Sequence, residues 1–228
     1  MANRIFWAGD STVKHNRIIT YPQTGIGQVM NLYLKPEIEV CNYAENGRST
    51  KSFINETRLD KIDALLGEGD YLFIQFGHND QKEDSERHTE PFLDYQENLS
   101  KFIAIARNHK ANPVLITSLY RRIFREGKLL ENVHLDYPEA MIELGQRLDV
   151  PVIDLCEKSK KLMELTGDTN SKNWFMNLEV NQFKNYPEGL EDNTHLRYEG
   201  AVVMAGLIAE GLKELGGIYP ELLIDYNL

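Results

Sequence analysis

The 228-residue sequence is poor in cysteine and contains only Cys41 and Cys156. Two thiols are too few for a disulfide framework or a cysteine-based zinc cluster, and because each lies at or beside an apolar segment we expect both to be buried and free. The chain has no run of about 18 apolar residues, so no segment is predicted to span a membrane. Its first dozen residues lack the long apolar region of a signal peptide, so a cytoplasmic location is expected.

Basic residues are also scarce, since 25 Lys and Arg face 35 Asp and Glu and the net charge is −10. This balance argues against nucleic acid or an anionic membrane as the main partner, because both attract clustered Lys and Arg. No His-Glu-x-x-His motif is present and Gly25-x-Gly27 lacks a third glycine, so neither a metal nor a nucleotide cofactor is expected. The length and the 42% hydrophobic content predict a single globular domain over residues 1–228.

Short apolar segments alternate with helical patterns along the chain. The five predicted strands cover residues 4–8, 37–41, 71–76, 113–117 and 150–154. Apolar residues at helical spacing predict helices around 92–106 and 201–215, and two long irregular segments cover 119–136 and 169–199. This alternation predicts an α/β fold with a parallel sheet covered on both faces, and Pro151 places the last strand at a start or an edge.

Polar residues with catalytic potential follow the first three predicted strands. Gly9-Asp10-Ser11-Thr12 follows the first strand, Asn46-Gly47 lies in the segment after the second, and Gly77-His78-Asn79-Asp80 follows the third. A fourth block, Asp192-Asn193-Thr194-His195, comes just before the last predicted helix. In an open parallel sheet, binding sites form outside the carboxyl ends of the strands, so we expect these blocks to meet there.

The residue types in these blocks predict a serine hydrolase. Ser11 is the candidate nucleophile and His195 the base that removes its proton, while Asp192, three residues earlier, holds the imidazole in the required tautomer. The backbone N–H groups of Ser11 and Gly47 and the side-chain amide of Asn79 are the candidate donors to the oxyanion.

His78 is the main rival to His195 as the base. Neighbouring residues of an extended segment point to opposite sides, so an Asn79 directed at the oxyanion turns His78 away from it. We therefore expect His78 to make a structural hydrogen bond or to contact the substrate, and Asp10 to stabilise its loop. The remaining histidines are expected at the surface: His15, His88, His109 and His134.

In the order of these blocks, the chain resembles the SGNH (GDSL-type) hydrolase superfamily, whose four named residues correspond to Ser11, Gly47, Asn79 and His195. It is most similar to the rhamnogalacturonan acetylesterase group, on the basis of Gly9-Asp10-Ser11-Thr12, Asn42-x-Ala44-x-x-Gly47-Arg48-Ser49, Phe76-Gly77-His78-Asn79-Asp80 and Asp192-Asn193-Thr194-His195. The resemblance implies a flavodoxin-like three-layer α/β/α sandwich with a five-stranded sheet. It also implies a serine esterase without a cofactor that removes O-acetyl groups from pectic, rhamnogalacturonan-type oligosaccharides.

Other functions remain open on the sequence. A lipase or thioesterase of the same superfamily would need an apolar groove beside Ser11, an acetylxylan-type esterase would take another sugar, and a carbohydrate-binding protein would have lost catalysis. Arg121 and Arg122 are candidates for binding a galacturonate carboxylate, or else they are ordinary solvated charges. Four aromatic residues either stack on sugar rings or anchor the second irregular segment to the core: Trp174, Phe175, Phe183 and Tyr186.

Overall fold

The computed structural model describes residues 4–225 of the chain. Within that range lie the strands β1 (Arg4–Gly9), β2 (Glu39–Asn42), β3 (Tyr71–Gln75), β4 (Asn112–Ile116), β5 (Phe124–Arg125), β6 (Lys128–Leu129) and β7 (Val152–Ile153). Five of them form one parallel sheet in the order β2-β1-β3-β4-β7, and β5 pairs with β6 as a separate antiparallel hairpin.

Helices connect the strands of the sheet. They are α1 (Ile26–Val29), α2 (Thr50–Asn55), α3 (Arg58–Asp63), α4 (Gln96–Asn108), α5 (Tyr137–Leu148), α6 (Leu155–Ser171) and α7 (Tyr198–Leu215). A π-type turn over Pro91–Tyr95 leads into α4, so this helical region starts close to where the sequence predicts it. Among the helices within residues 4–225, none combines the length and apolar character needed to cross a lipid bilayer.

The two faces of the sheet carry two separate hydrophobic cores. Because side chains alternate along a strand, Ile5 and Trp7 of β1 point into one core and Phe6 and Ala8 into the other. Helices α1, α6 and α7 cover the first face, whereas α2, α3, α4 and α5 cover the second. The predicted three-layer α/β/α arrangement around a five-stranded parallel sheet is therefore confirmed.

The edge strands differ from their predicted bounds. Strand β2 begins at Glu39 rather than at residue 37, and its residues are exposed or only half-buried because it lies at one edge of the sheet. Strand β7 keeps only two residues at the opposite edge, where the Pro151 carbonyl accepts a hydrogen bond from Leu115 N at 3.0 Å. Edge position also explains Cys41: both cysteines are free, but Cys41 is half-buried and only Cys156 is buried.

The two segments expected to be irregular are partly ordered. Residues 119–136 contain the β5–β6 hairpin, a contact between two-residue strands that is too short to leave a pattern in the sequence. In residues 169–199, α6 extends to Ser171 and α7 begins at Tyr198. The intervening segment remains without long helices or strands, and it carries one block of the candidate site.

Candidate active site

The candidate site lies at the carboxyl edge of the central strands. Ser11 follows β1 and Asn79 follows β3, and these two strands are neighbours in the sheet. Gly47 lies in the loop between β2 and α2, which is joined to the end of β1 by a hydrogen bond from Glu45 N to Gly9 O at 3.1 Å. The last block precedes α7, so the four sequence blocks come from four separate connections.

A chain of hydrogen bonds links the serine, the histidine and the aspartate. His195 Nε2 lies 2.8 Å from Ser11 Oγ, and His195 Nδ1 lies 2.6 Å from Asp192 Oδ2. A carboxylate accepts the Nδ1–H of a neutral imidazole, so Nε2 is left with a lone pair facing the serine hydroxyl. This geometry allows His195 to accept the proton of Ser11.

The aspartate is oriented by its own turn. Asp192 Oδ1 accepts hydrogen bonds from Thr194 N at 2.8 Å and His195 N at 3.0 Å, which leaves Oδ2 for the imidazole. The backbone of the block is held from both sides, because His195 O accepts from Met176 N at 2.9 Å and Leu196 O accepts from Thr24 N at 2.9 Å. The three-residue spacing thus sets the contact between Asp192 and His195.

The interaction between Asp192 and His195 shifts the pKa of each residue. Burial by itself would lower the pKa of His195, but the hydrogen bond and negative charge of Asp192, with a smaller effect of Asp10, raise it above its usual value. Burial would raise the pKa of Asp192, yet its hydrogen bond to His195 and the backbone N–H groups bring the pKa below its usual value. The hydrogen bond and negative charge of Asp192 therefore favour the protonated form of His195.

The turn that carries Ser11 is fixed by Asp10. Asp10 O accepts from Val13 N and Lys14 N, both at 3.2 Å, and Asp10 Oδ1 accepts from Thr12 N at 2.9 Å and Thr12 Oγ1 at 2.7 Å. Burial would raise the pKa of Asp10, but His78 and Thr12 together lower it. These contacts give Asp10 the loop-stabilising position expected from the sequence.

Three N–H groups near the serine are available as donors. Among residues 4–225, neither Ser11 N nor Gly47 N makes a hydrogen bond. Asn79 Nδ2 donates one hydrogen to Arg48 O at 3.1 Å, and an amide nitrogen carries a second. Gly47 has a φ of +73°, a left-handed conformation that favours glycine. These are the N–H groups that the sequence predicts as the oxyanion donors.

His78 is buried next to Asp10 of the serine turn. Its side chain is only 5% exposed, its Nδ1 lies 3.3 Å from Asp10 Oδ2, and its ring packs edge-on against His134 with a centroid distance of 4.7 Å. Packing against Asp10 and His134 favours the structural role among the two roles expected for His78. His134 was also expected at the surface but is buried, with its Nε2 2.9 Å from Leu119 O.

The two predicted arginines have different surroundings. Arg122 is buried and donates to Asp168, to Ser171 Oγ at 3.0 Å and to Asn193 Oδ1 at 2.7 Å. Its guanidinium joins α6 to the segment that carries Asp192, which favours a structural role for Arg122. This role was missed because its partners are about 50 and 70 residues away in sequence.

Arg121 keeps a position compatible with binding. Its Nη2 donates to His78 O at 3.1 Å, while its Nε is buried without a hydrogen-bond partner among the described residues. Burial lowers the pKa of the guanidinium, although the negative charges of Asp10 and Asp192 oppose the shift. Arg121 is therefore a half-buried cation that interacts electrostatically with Asp10 of the serine turn and with Asp192.

The aromatic residues of the second irregular segment mainly hold that segment in place. Phe175 is fully buried, and Tyr186 donates from its hydroxyl to Thr20 O at 3.2 Å. Phe183 packs edge-on against Tyr21, with a centroid distance of 5.7 Å. These contacts join residues 175–186 to the loop after Ser11, which favours the anchoring interpretation over sugar stacking for Phe175.

Comparison with known proteins agrees with this architecture. No family model matches the chain. The structure is similar to that of the Bacillus subtilis protein YXIM (TM-score 0.80, 24% identity, 95% of this chain and 57% of that one). It is also similar to a lipolytic protein of the G-D-S-L family from Veillonella parvula (TM-score 0.62, 17% identity, 92% of this chain and 97% of that one). The fold is that of the GDSL, or SGNH, hydrolases.

The sequence comparison identifies the family within this class. The chain is 45% identical over 213 residues to the rhamnogalacturonan acetylesterase RhgT of Bacillus subtilis, a match that covers 93% of this chain and 90% of that protein. The chain belongs to the rhamnogalacturonan acetylesterase family. The resemblance inferred from the four sequence blocks is thereby confirmed.

Proposed function

We propose that the protein is a serine esterase that removes O-acetyl groups from acetylated, rhamnogalacturonan-type oligosaccharides. The observation that carries the proposal is the hydrogen-bonded chain from Ser11 Oγ through His195 to Asp192. The 45% identity to RhgT supports the substrate class. In this proposal residues 1–228 act as one hydrolase domain, because both hydrophobic cores share the sheet that carries the site.

Acylation begins at the serine hydroxyl. Ser11 Oγ attacks the acetyl carbonyl carbon while His195 Nε2 takes the hydroxyl proton, and the carbonyl oxygen becomes an oxyanion. The N–H groups of Ser11, Gly47 and Asn79 donate to that oxygen. The tetrahedral intermediate then collapses, the bond to the sugar oxygen breaks, and His195 delivers its proton to that oxygen to release the sugar hydroxyl.

Deacylation uses the same groups on water. His195, neutral again, removes a proton from a water molecule that attacks the acetyl-serine carbonyl. A second tetrahedral intermediate forms at the same oxyanion donors and collapses with release of acetate. His195 returns its proton to Ser11 Oγ, while Asp192 stabilises the imidazolium in both halves of the reaction.

We assign Arg121 to the sugar side of the substrate. Its guanidinium is only half-buried and interacts electrostatically with both Asp10 and Asp192, which favours contact with a substrate oxygen over a purely structural role. A guanidinium matches a uronate carboxylate through paired hydrogen bonds. This contact would orient the oligosaccharide without taking part in the chemistry.

A panel of esters tests the proposal. We expect kcat/KM for acetate release from acetylated rhamnogalacturonan oligosaccharides to exceed that from acetylated xylo-oligosaccharides by about tenfold or more, because polar contacts to the sugar discriminate strongly. A steep preference for para-nitrophenyl acetate over the octanoate is expected as well. Activity on simple esters but on neither sugar would contradict the substrate class. A preference for the octanoate would favour a lipase or thioesterase.

Removal of one oxyanion donor should slow the chemical step. We expect Asn79→Ala to lower kcat by roughly 10²–10³-fold with little change in KM, because this donor acts on the charge that develops in the transition state. Steady-state kinetics on para-nitrophenyl acetate measure the change. Asn170→Ala is the matched control, since Asn170 is exposed on α6 and its side chain donates to Thr166 O of the same helix at 3.3 Å. A loss of less than about fivefold in kcat would remove Asn79 from the proposed hole.

A further inference from the structure

Asp80 is a fully buried carboxyl group that the proposed mechanism does not use. It follows Asn79 directly, and its exposed fraction is 0%. Its Oδ1 accepts three hydrogen bonds, from Thr50 N at 2.9 Å, Thr50 Oγ1 at 2.5 Å and Thr89 Oγ1 at 3.1 Å. Its Oδ2 is buried and has no hydrogen-bond partner among the described residues.

The partners of Asp80 connect it to the loop that carries Gly47. Ser49 caps α2 and Thr50 is the first residue of that helix, so Thr50 lies three residues after Gly47. Asn79 Nδ2 binds the same loop at Arg48 O, at 3.1 Å. Asn79 therefore binds the loop at Arg48, and Asp80 binds Thr50, two residues further along the chain at the start of α2.

The backbone of Asp80 is itself fixed from the other side. Its carbonyl accepts hydrogen bonds from Thr89 N at 3.1 Å and from the Tyr137 hydroxyl at 3.0 Å. Tyr137 is the first residue of α5, so Asp80 is anchored to a helix that packs against the sheet. The loop after β2 is thus tied through Asp80 to a rigid part of the fold.

From this geometry we infer that Asp80 is a positioning residue for the oxyanion hole. It sets the Gly47 N–H in register with the Asn79 amide by holding Thr50 while Asn79 holds Arg48. The inference rests on the proposed function, in which both N–H groups donate to the oxyanion. Donors are effective only when they are held in place before charge develops, and a displacement of about 1 Å can cost about 10²-fold in rate.

The carboxyl group of Asp80 holds Thr50 and Thr89 through a single oxygen. Burial raises the pKa of Asp80 to about 7, against the opposing effect of the Thr50 and Thr89 hydrogen bonds. All three of those bonds end on Oδ1. In Asp80→Asn the amide oxygen can take the place of Oδ1. The amide NH₂ group then takes the place of Oδ2, which has no hydrogen-bond partner among the described residues.

Kinetics of Asp80 variants on para-nitrophenyl acetate test the inference. We expect Asp80→Ala to lower kcat by about 10–100-fold with KM within about threefold of the parent, and Asp80→Asn to stay within about threefold in both constants. An Asp80→Asn variant as slow as Asp80→Ala, or a loss that falls on KM instead of kcat, would overturn the inference. If Ser11→Ala abolishes turnover but Asp80→Ala does not slow it, only the inference about Asp80 fails. If Ser11→Ala stays active, the proposed function fails first.

A double-mutant cycle with Asn79 separates positioning from general stability. If Asp80 acts by aligning Asn79 with Gly47, Asp80→Ala should cost at least about threefold less in kcat when Asn79 is already alanine. Losses that simply multiply would overturn the inference. The cycle compares rates among folded enzymes, so a uniform loss of stability does not produce the coupling.

A pair of threonine variants keeps the test valid if Asp80→Ala fails to fold. Thr50→Val and Thr89→Val each remove one hydroxyl donor to the same oxygen of Asp80. Only Thr50, the first residue of α2, directly follows the loop that carries Gly47, so we expect Thr50→Val to lower kcat by about five- to tenfold and Thr89→Val by less than about twofold. Equal effects of the two variants on kcat would contradict a role in positioning the oxyanion donors.

Discussion

Ser11→Ala is expected to lower kcat by about 10⁴-fold or more. The substitution removes the atom that is proposed to form the covalent bond to the acetyl group, while His195 and Asp192 keep their contact to each other. Ser11 is half-buried in a turn held by Asp10, so the loss of one oxygen should leave the turn intact. Steady-state release of acetate from the oligosaccharide and from para-nitrophenyl acetate measures the effect.

The control for this variant is a serine elsewhere on the surface. Ser85 is exposed, and within residues 4–225 only its backbone carbonyl takes part in a hydrogen bond, from Lys51 Nζ at 2.8 Å. Ser85→Ala should therefore keep the parent kcat. A fluorophosphonate should add once to the parent protein and not to Ser11→Ala, as read by intact mass. More than a tenth of the parent turnover in Ser11→Ala would refute Ser11 as the nucleophile.

Asp192→Asn is expected to lower kcat by about 10⁴-fold, with the fold unchanged. Oδ1 of Asp192 faces two backbone N–H groups, so the amide oxygen of asparagine should take that place. The amide NH₂ then faces His195 Nδ1 and forces the imidazole into the other tautomer. A hydrogen on Nε2 prevents that nitrogen from accepting the proton of Ser11.

The pH profile of the same variant carries a second expectation. His195 must be neutral to act as the base, so kcat/KM rises as the pH passes upward through the His195 pKa. Asp192 raises that pKa, and its replacement by a neutral amide should move the acidic limb to lower pH. Glu191 is exposed and directly precedes Asp192 in the sequence. Glu191→Gln also removes one negative charge, but it should change neither kcat nor the pH of the acidic limb. An unmoved limb in Asp192→Asn would contradict the assigned pair.

The sheet could be predicted because its central strands leave a local pattern. Strand β3 is buried on both faces, so its sequence is almost continuously apolar and its bounds are recovered within one residue. Edge strands are paired on one side only and are less apolar, which is why β2 and β7 differ more from their predicted bounds. The β5–β6 hairpin was missed because two residues a strand carry no periodicity.

The blocks of the candidate site could be located for a related reason. A parallel sheet brings the carboxyl ends of its strands to one edge, so Ser11, Gly47 and Asn79 could be assigned to that edge from their place in the sequence. The Asp192–His195 contact spans a single turn and follows from spacing alone. The contact of His195 with Ser11 spans 184 residues, and it was inferred from chemistry before the structure located it.

The surroundings of these residues could not be predicted in the same way. Arg122, His134 and Asp80 are polar residues that the fold buries, and nothing in their immediate sequence distinguishes them from surface residues. Each is accommodated by partners from other parts of the chain, such as Asp168 for Arg122 and Thr50 for Asp80. For Asp80 the sequence did contain one indication of a role at the site, because Asp80 directly follows Asn79 in the same block.

The sequence by itself determined the α/β class, the order of the central elements, the family and the residues proposed for the chemistry, because each of these depends on periodicity or on short motifs. Only the tertiary structure decided that Arg122 hydrogen-bonds to the segment that carries Asp192 and that His78 packs against Asp10. It also decided that Asp80 binds Thr50, which directly follows the Gly47 loop. Burial of a polar group costs free energy unless a partner meets it, and partners from distant segments come together only when the whole sheet has formed.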